Sequence, residues 1–172
     1  MKSRKNMRNL VTLKIEYATE DVNIEYIYHI QKDFNKVLRF TYNRLCENSK
    51  YSTKELTAFQ SNLNNIDGCK SHLKCSAIYK SRELYTINKD SNPQKIIFGG
   101  RKNFIARCQH KISEEDFAKS RTRPIYSIGQ CNNHGNRLFR IIDSHTVLFK
   151  PSKEHPIQLN LKDVGKNREK QL

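Results

Sequence analysis

Acidic residues are scarce: Asp and Glu number 17 against 32 Lys and Arg, which leaves a formal charge of +15. Self-repulsion on that scale is relieved when a polyanion neutralises it, so nucleic acid is the leading expected partner. Paired cysteines are also missing. Cys46, Cys69, Cys75, Cys108 and Cys131 are odd in number and contain no C-x-x-C spacing, which supports neither a disulfide framework nor a zinc ribbon. No stretch approaches the ~18 apolar residues of a spanning helix. The opening MKSRKNMRNL sets no apolar core behind its charges, so no membrane and a cytoplasmic location are expected. The G-x-x-x-x-G-K-[ST] spacing is absent, so nucleotide hydrolysis is not supported. His29, His72, His110, His134, His145 and His155 are scattered, and none stands with a Cys, Ser or acid in an arrangement that suggests nucleophilic catalysis. No cofactor, no metal and no catalytic residue are expected.

What remains is a chain of 172 residues, the size of one domain or of two small ones sharing a surface. Leu, Ile, Val and Phe make up about a quarter of it, above the roughly 20% below which highly charged chains tend to stay disordered. Lys2, Arg4, Lys5 and Arg8 precede Leu10 to Tyr17, where Leu13, Ile15 and Tyr17 alternate with Lys14 and Glu16 as a half-buried strand does. From Asp21 the period changes. Ile24, Ile27, Ile30 or Gln31, Phe34, Val37, Leu38, Tyr42 and Leu45 mark one stripe of a long helix capped by Asp21 or Asn23. Ser52 and Glu55 have capping-box spacing ahead of Leu56, Phe59, Leu63 and Ile66, with Gly68 as the stop. A third helix is predicted from about Ser71 to Ile87.

After Pro93 the pattern turns to short elements. Lys95 to Phe98 reads as a strand, Arg101 to Arg107 as a brief helix with Phe104 and Ile105 inward, and Ser113 as the cap of another. Pro124 to Ile128 and Leu138 to Ile142 read as a hairpin across a loop from Gly129 to Arg137, rich in Asn and Gly. Thr146 to Phe149 and Ile157 to Leu161 read as two further strands.

The segment from Phe98 to Arg140 carries the most chemistry. Arg101, Lys102, Arg107, Lys111, Lys119, Arg121, Arg123, Arg137 and Arg140 alternate there with Phe104, Tyr126 and Phe139. Guanidinium forks match pairs of phosphate oxygens or a guanine edge, which favours bidentate recognition over a diffuse cloud of charge. Aromatic faces can stack bases, although the ordinary place for these three rings is the core. Gly99 and Gly100 before a helix let an anion approach backbone amides. Glu114, Glu115, Asp116 and Asp143 fall at a helix start or a hairpin end, where capping and solvation account for them. Cys108, beside Arg107, reads as a small buried residue.

In order, Phe98-Gly99-Gly100-Arg101-Lys102-x-Phe104, Lys111-Ile112-Ser113-x-Glu115, Arg121-x-Arg123-Pro124-x-Tyr126-Ser127-Ile128-Gly129 and Gly135-Asn136-Arg137-x-Phe139 form a pattern that resembles the N-terminal half of the transposon-encoded TnpB (OrfB) nucleases and of the related type V CRISPR effectors. The likeness runs best from Ile96 to Ile142 and more loosely from Leu10 through the long helix. It implies an α+β protein: a helical recognition lobe (23–92) inserted in a small antiparallel, barrel-like module of wedge or OB-like type, with residues 1–22 as basic arm and first strand, 93–162 as the β module and 163–172 as a charged tail. A barrel cut short would leave strand edges that attract another chain. The resemblance also implies binding of structured, guide-type or transposon-derived RNA through Arg101, Lys102, Arg107, Lys111, Arg121, Arg123, Tyr126, Arg137 and Arg140, with backbone phosphate contacts at Gly99 and Gly100. In that family the metal-binding RuvC-like domain lies C-terminal to the matched stretch, so no cleavage is expected of these residues. The partner is then RNA with a separate RuvC-type nuclease chain, or, if the protein is an inhibitor encoded by a virus or mobile element, the RNA or a surface of a CRISPR effector.

Overall fold

The computed structural model describes residues 24–63, 66–67, 71–91, 95–127, 136, 138–151 and 156–161. The expected arm and strand within 1–22, the helix cap at Asp21 or Asn23, Gly68, the loop from Gly129 to Gly135, Arg137 and the 163–172 tail lie outside them.

Spacing of apolar residues at three and four makes α1 (Ile24–Glu47), which buries Ile30, Phe34, Val37, Leu38, Tyr42 and Leu45. Its stripe begins later than the sequence predicts, since Ile24 is 49% exposed. In α2 (Thr53–Phe59) both halves of the capping box form: the Ser52 hydroxyl accepts from the Glu55 amide at 3.2 Å, and the Glu55 carboxylate accepts from the Ser52 amide at 2.7 Å. A 3-10 turn, Gln60–Asn62, follows it. The third helix, α3 (Ser71–Ser91), outlasts the predicted end at Ile87 by one turn and buries Leu73, Ala77 and Ile78. The Ser81 hydroxyl lies 2.9 Å from the Leu38 carbonyl, and Asn88 donates to the Tyr42 hydroxyl. These contacts advance together along both helices, so α1 and α3 run in the same general direction, with α2 in the connection.

Two short helices come next, α4 (Arg101–Cys108) and α5 (Glu114–Ser120), the latter capped by Ser113, whose hydroxyl accepts from the Asp116 amide. The chain then forms an open antiparallel sheet in the order β1 (Phe139–Asp143), β2 (Thr146–Phe149) and β3 (Ile157–Asn160). Phe139 pairs with Phe149, and Phe149 with Ile157, which puts all three on one face. That face joins the helices. Leu138 and Phe149 belong to the same buried cluster as Ile30, Phe34, Leu38, Tyr42, Leu73, Ala77 and Phe98. The architecture is α+β, with five α-helices and three strands among the described residues. No helix there is long and apolar enough to cross a membrane.

Two predicted strands are corrected. Lys95 to Ile97 is irregular, because the Ile96 amide is taken by the Tyr42 hydroxyl at 3.1 Å and the Gly100 amide closes a turn onto the Ile97 carbonyl at 2.9 Å. Pro124 to Ser127 pairs with no strand among the described residues. The hairpin is instead β1 with β2, across Ser144-His145. Neither turn residue has positive φ, so the twist of the primed turns is unavailable, and a bulge between Ile141 and Asp143 accommodates the mismatch.

Candidate nucleic-acid interface

A polar file runs beside the apolar stripe of α1, one residue per turn: Gln31, Asn35 and Arg39. Asn35 is fully buried. Its Oδ1 accepts from the Arg123 amide and its Nδ2 donates to the Arg123 carbonyl, both at 2.8 Å, while Gln31 Nε2 donates to the same carbonyl at 3.0 Å. An amide side chain thus pairs with a peptide much as a neighbouring strand would. This satisfies the backbone immediately ahead of the predicted Pro124–Ile128 strand, and it fixes where Arg123 projects from.

Around that anchor the arginines meet aromatic faces. The Arg121 guanidinium lies 4.9 Å from the centre of the Phe117 ring, and that of Arg107 lies 5.2 Å from the same ring. Arg123 sits 5.5 Å over Phe98. Each such contact contributes ~0.5–2 kcal/mol, more as water is excluded. Arg107 also pairs with Glu114 at 2.9 Å, whose side chain is 71% exposed, and an exposed pair contributes only ~0–1 kcal/mol. Arg39 lies one turn beyond Asn35 on α1 and is half-buried. Burial, and after it the Arg121 charge, bring the Arg39 guanidinium down to about 10. Among the described residues, no carboxylate other than Glu114 lies within ion-pair distance of these four arginines.

The structure therefore gathers Arg107, Arg121 and Arg123, and the residue that anchors the segment, Asn35, is one the sequence did not point out. The clue was present as the i, i+4 spacing of Gln31 and Asn35 beside the apolar stripe. Arg101 and Lys102 open α4, exposed and without an ion pair among the described residues, and Lys111 follows its end, also exposed. Arg140 is not brought into this group: it lies in register with Leu148 and Gln158, on the sheet face opposite Phe149. Tyr126 stands apart from the arginines too, with Lys80 of α3 over its ring at 4.7 Å. Arg137 lies outside the described residues.

Several sequence expectations change here. Phe104 and Ile105 are 40% and 42% exposed rather than inward, because α4 packs on α5 as a surface element and buries no residue. Tyr126 is 37% exposed and so is not core, whereas Phe139 stacks on Phe149 at 4.8 Å against the main cluster. Cys108 is exposed. Gly99 and Gly100 have φ of 89° and 85°, conformations only glycine adopts at low cost, and a Cβ on Gly99 would stand 2.7 Å from Ser120 Oγ. Their role in shaping a tight turn against α5 is thus accounted for. The Gly100 amide, committed to Ile97, is not free for a phosphate.

Chemically, three guanidinium groups held on aromatic faces, with one exposed counterion among the described residues, suit an anion carrying several negative oxygens. No family model, curated protein or solved structure matches this chain.

Proposed function

We propose that this protein binds structured RNA, in the manner of the guide-RNA-holding half of a TnpB-like nuclease, and that it does not itself cut nucleic acid. On this reading the three-stranded sheet belongs to a small barrel-like module of wedge type, and the RNA partner is shared with a separate nuclease chain. The reading is supported chiefly by one observation: Arg107, Arg121 and Arg123 gather at Phe117, Phe98 and Asn35, with Glu114 as their single ion-pair partner among the described residues. A cluster so poorly neutralised from within favours a polyanion from outside, and the overall charge of +15 points the same way.

Recognition then depends on phosphates and A-form shape rather than base edges. Three arginine–phosphate contacts, each worth ~0.7–0.9 in the salt slope, weaken binding roughly 20- to 40-fold between 50 and 200 mM salt. The test is to purify the chain from its natural host, sequence the RNA that comes with it, and titrate that RNA against salt. One structured species with this slope supports the proposal. RNA of a foreign effector favours an inhibitor, and absence of RNA overturns both. A Mg²⁺-dependent cleavage assay on the same RNA and on DNA is expected to show no cutting.

A further inference from the structure

The helix α4 is amphipathic the wrong way round. Asn103, Ala106 and Arg107, at i, i+3 and i+4, form its half-buried side, while Phe104 and Ile105 stand 40% and 42% exposed together with Arg101, Lys102 and Cys108. The helix is not free to roll and bury them. Its start is held by the positive-φ turn at Gly99 and Gly100, by Asn103 Nδ2 donating to the Gly99 carbonyl at 2.9 Å and by the Phe104 amide donating to the Gly100 carbonyl at 3.1 Å, and its end by the Arg107 pair with Glu114. The Phe104 ring leans on Phe117, with centroids 6.2 Å apart and a 57° tilt, and Phe117 is itself buried. That same buried ring carries the Arg107 and Arg121 guanidiniums at 5.2 and 4.9 Å, so an exposed aromatic ring and two cations share one neighbour. A single exposed ring is ordinary; a helix with its apolar residues turned outward marks a contact surface. The charge on α4, three cations and no carboxylate, selects the occupant. A double helix offers phosphates but hides its base faces, and an apolar protein surface offers no negative charge. An unpaired stretch of nucleic acid offers both at once.

We propose that Phe104 is a stacking platform for an unpaired base of the bound RNA, with Arg101 and Arg107, each one turn away along α4, taking the phosphates that flank that base. This deepens the RNA reading and rests on it for the identity of the polymer. It adds that the RNA presents a bulged or looped nucleotide at this face, where the phosphate contacts alone would accept a continuous duplex. The exposed Glu114 returns to solvent as Arg107 turns to a phosphate. Since a ring face reads no base edge, preference among the bases follows their stacking strength.

The chain contains no tryptophan, so Phe104→Trp keeps a stacking ring and makes it the one indole emitter of the full chain. Its fluorescence is followed while a short unpaired RNA of mixed sequence, an RNA duplex of the same length and inorganic phosphate are titrated in turn. Quenching by the unpaired RNA, and by neither of the others, is expected. Phe104→Leu keeps an apolar side chain against Phe117 without the ring, and is expected to bind the unpaired RNA about tenfold more weakly. Its salt slope is expected to stay unchanged, because the ring carries no charge, whereas Arg101→Gln is expected to lower the slope by about one. Phe104→Tyr is expected to bind as wild type does. Circular dichroism of the variants is expected to match wild type, since the ring stands partly outside the fold; should Phe104→Leu unfold, the quenching of Phe104→Trp decides alone. Unpaired RNA bound equally by Phe104→Leu and wild type, or an indole quenched as strongly by the duplex, overturns the platform and leaves the RNA reading in place. An indole whose emission shifts to the blue as protein concentration rises, with no response to RNA, assigns the face to a second copy of the chain and overturns the platform too. Unpaired RNA that quenches the indole and needs Phe104, with no structured RNA accompanying the chain from its host, keeps the platform and removes the structured-RNA reading.

Discussion

Replacing Asn35 by Leu tests whether a single buried amide positions the arginine-bearing segment. The side chain is fully buried, and two hydrogen bonds at 2.8 Å join it to the Arg123 peptide. Each contributes about 0.5–1.5 kcal/mol net, and the Arg123 amide, which has no second acceptor among the described residues, adds about 1 kcal/mol when orphaned. The Arg123 carbonyl keeps Gln31 at 3.0 Å, so its loss is partial. The total is about 2–4 kcal/mol, or a midpoint lowered by roughly 5–15 °C in a chain of this size. Thermal unfolding followed by circular dichroism gives the first number, and hydrogen exchange at the Arg123 amide gives the second, with local protection expected to vanish. RNA affinity is expected to fall as well, since the Arg123 guanidinium no longer projects from a fixed base. Gln31→Ala, at an exposed bond, is the control and is expected to cost no more than about 1 kcal/mol. A midpoint for Asn35→Leu within about 1 °C of wild type, with the amide still protected, would refute the tether.

Other outcomes follow from local geometry. Tyr42→Phe removes the acceptor of both the Ile96 amide and the Asn88 side chain, and denaturant unfolding should show a loss of about 1–3 kcal/mol with no change in slope. His110, at φ 55°, is the left-handed residue that ends α4: its amide reaches the Arg107 carbonyl, and that of Lys111 reaches Ala106. His110→Gly is therefore expected to stabilise by about 0.5–1 kcal/mol and leave RNA binding unchanged. The Ser52 hydroxyl, and after it the Ser52 amide, hold the Glu55 carboxyl below its usual range. Because the folded value is the lower one, this contribution is complete above the ordinary glutamate pKa of about 4.3 and is lost as pH falls through the folded value. The stability difference between wild type and Glu55→Gln should be present at neutral pH and close under acid; a difference constant with pH would contradict the assignment.

Features that depend on neighbours in sequence were legible. Spacing placed the buried face of α1, the Ser-x-x-Glu pattern placed the start of α2, Ser113 placed α5, and β-branched runs placed β2 and β3. Features supplied from far along the chain were not. The segments at 95–97 and 124–127 have the composition of strands, yet Tyr42, 54 residues from Ile96, takes up the Ile96 amide, and Asn35, 88 residues from Arg123, ties down the residue just before the second segment. The hairpin was misplaced because Asn132, Asn133 and Gly135 carry stronger turn signals than Ser144-His145, whose connection depends on a bulge no local pattern announces. Of the expected interface, Arg107 and Arg121 meet at Phe117 only because α4 packs on α5, and Arg123 is set over Phe98 where the segment after α5 is tied to α1.

The Asn35 tether grips only the two peptide atoms at position 123, and every amino acid except proline presents the same pair. Nothing in that grip reads the side chain. Natural variation can therefore exchange the residue displayed there, from arginine to an aromatic or an amide, without unfolding the segment that displays it. Adaptation to a new partner at this spot needs one codon change and no compensating repair in the interior.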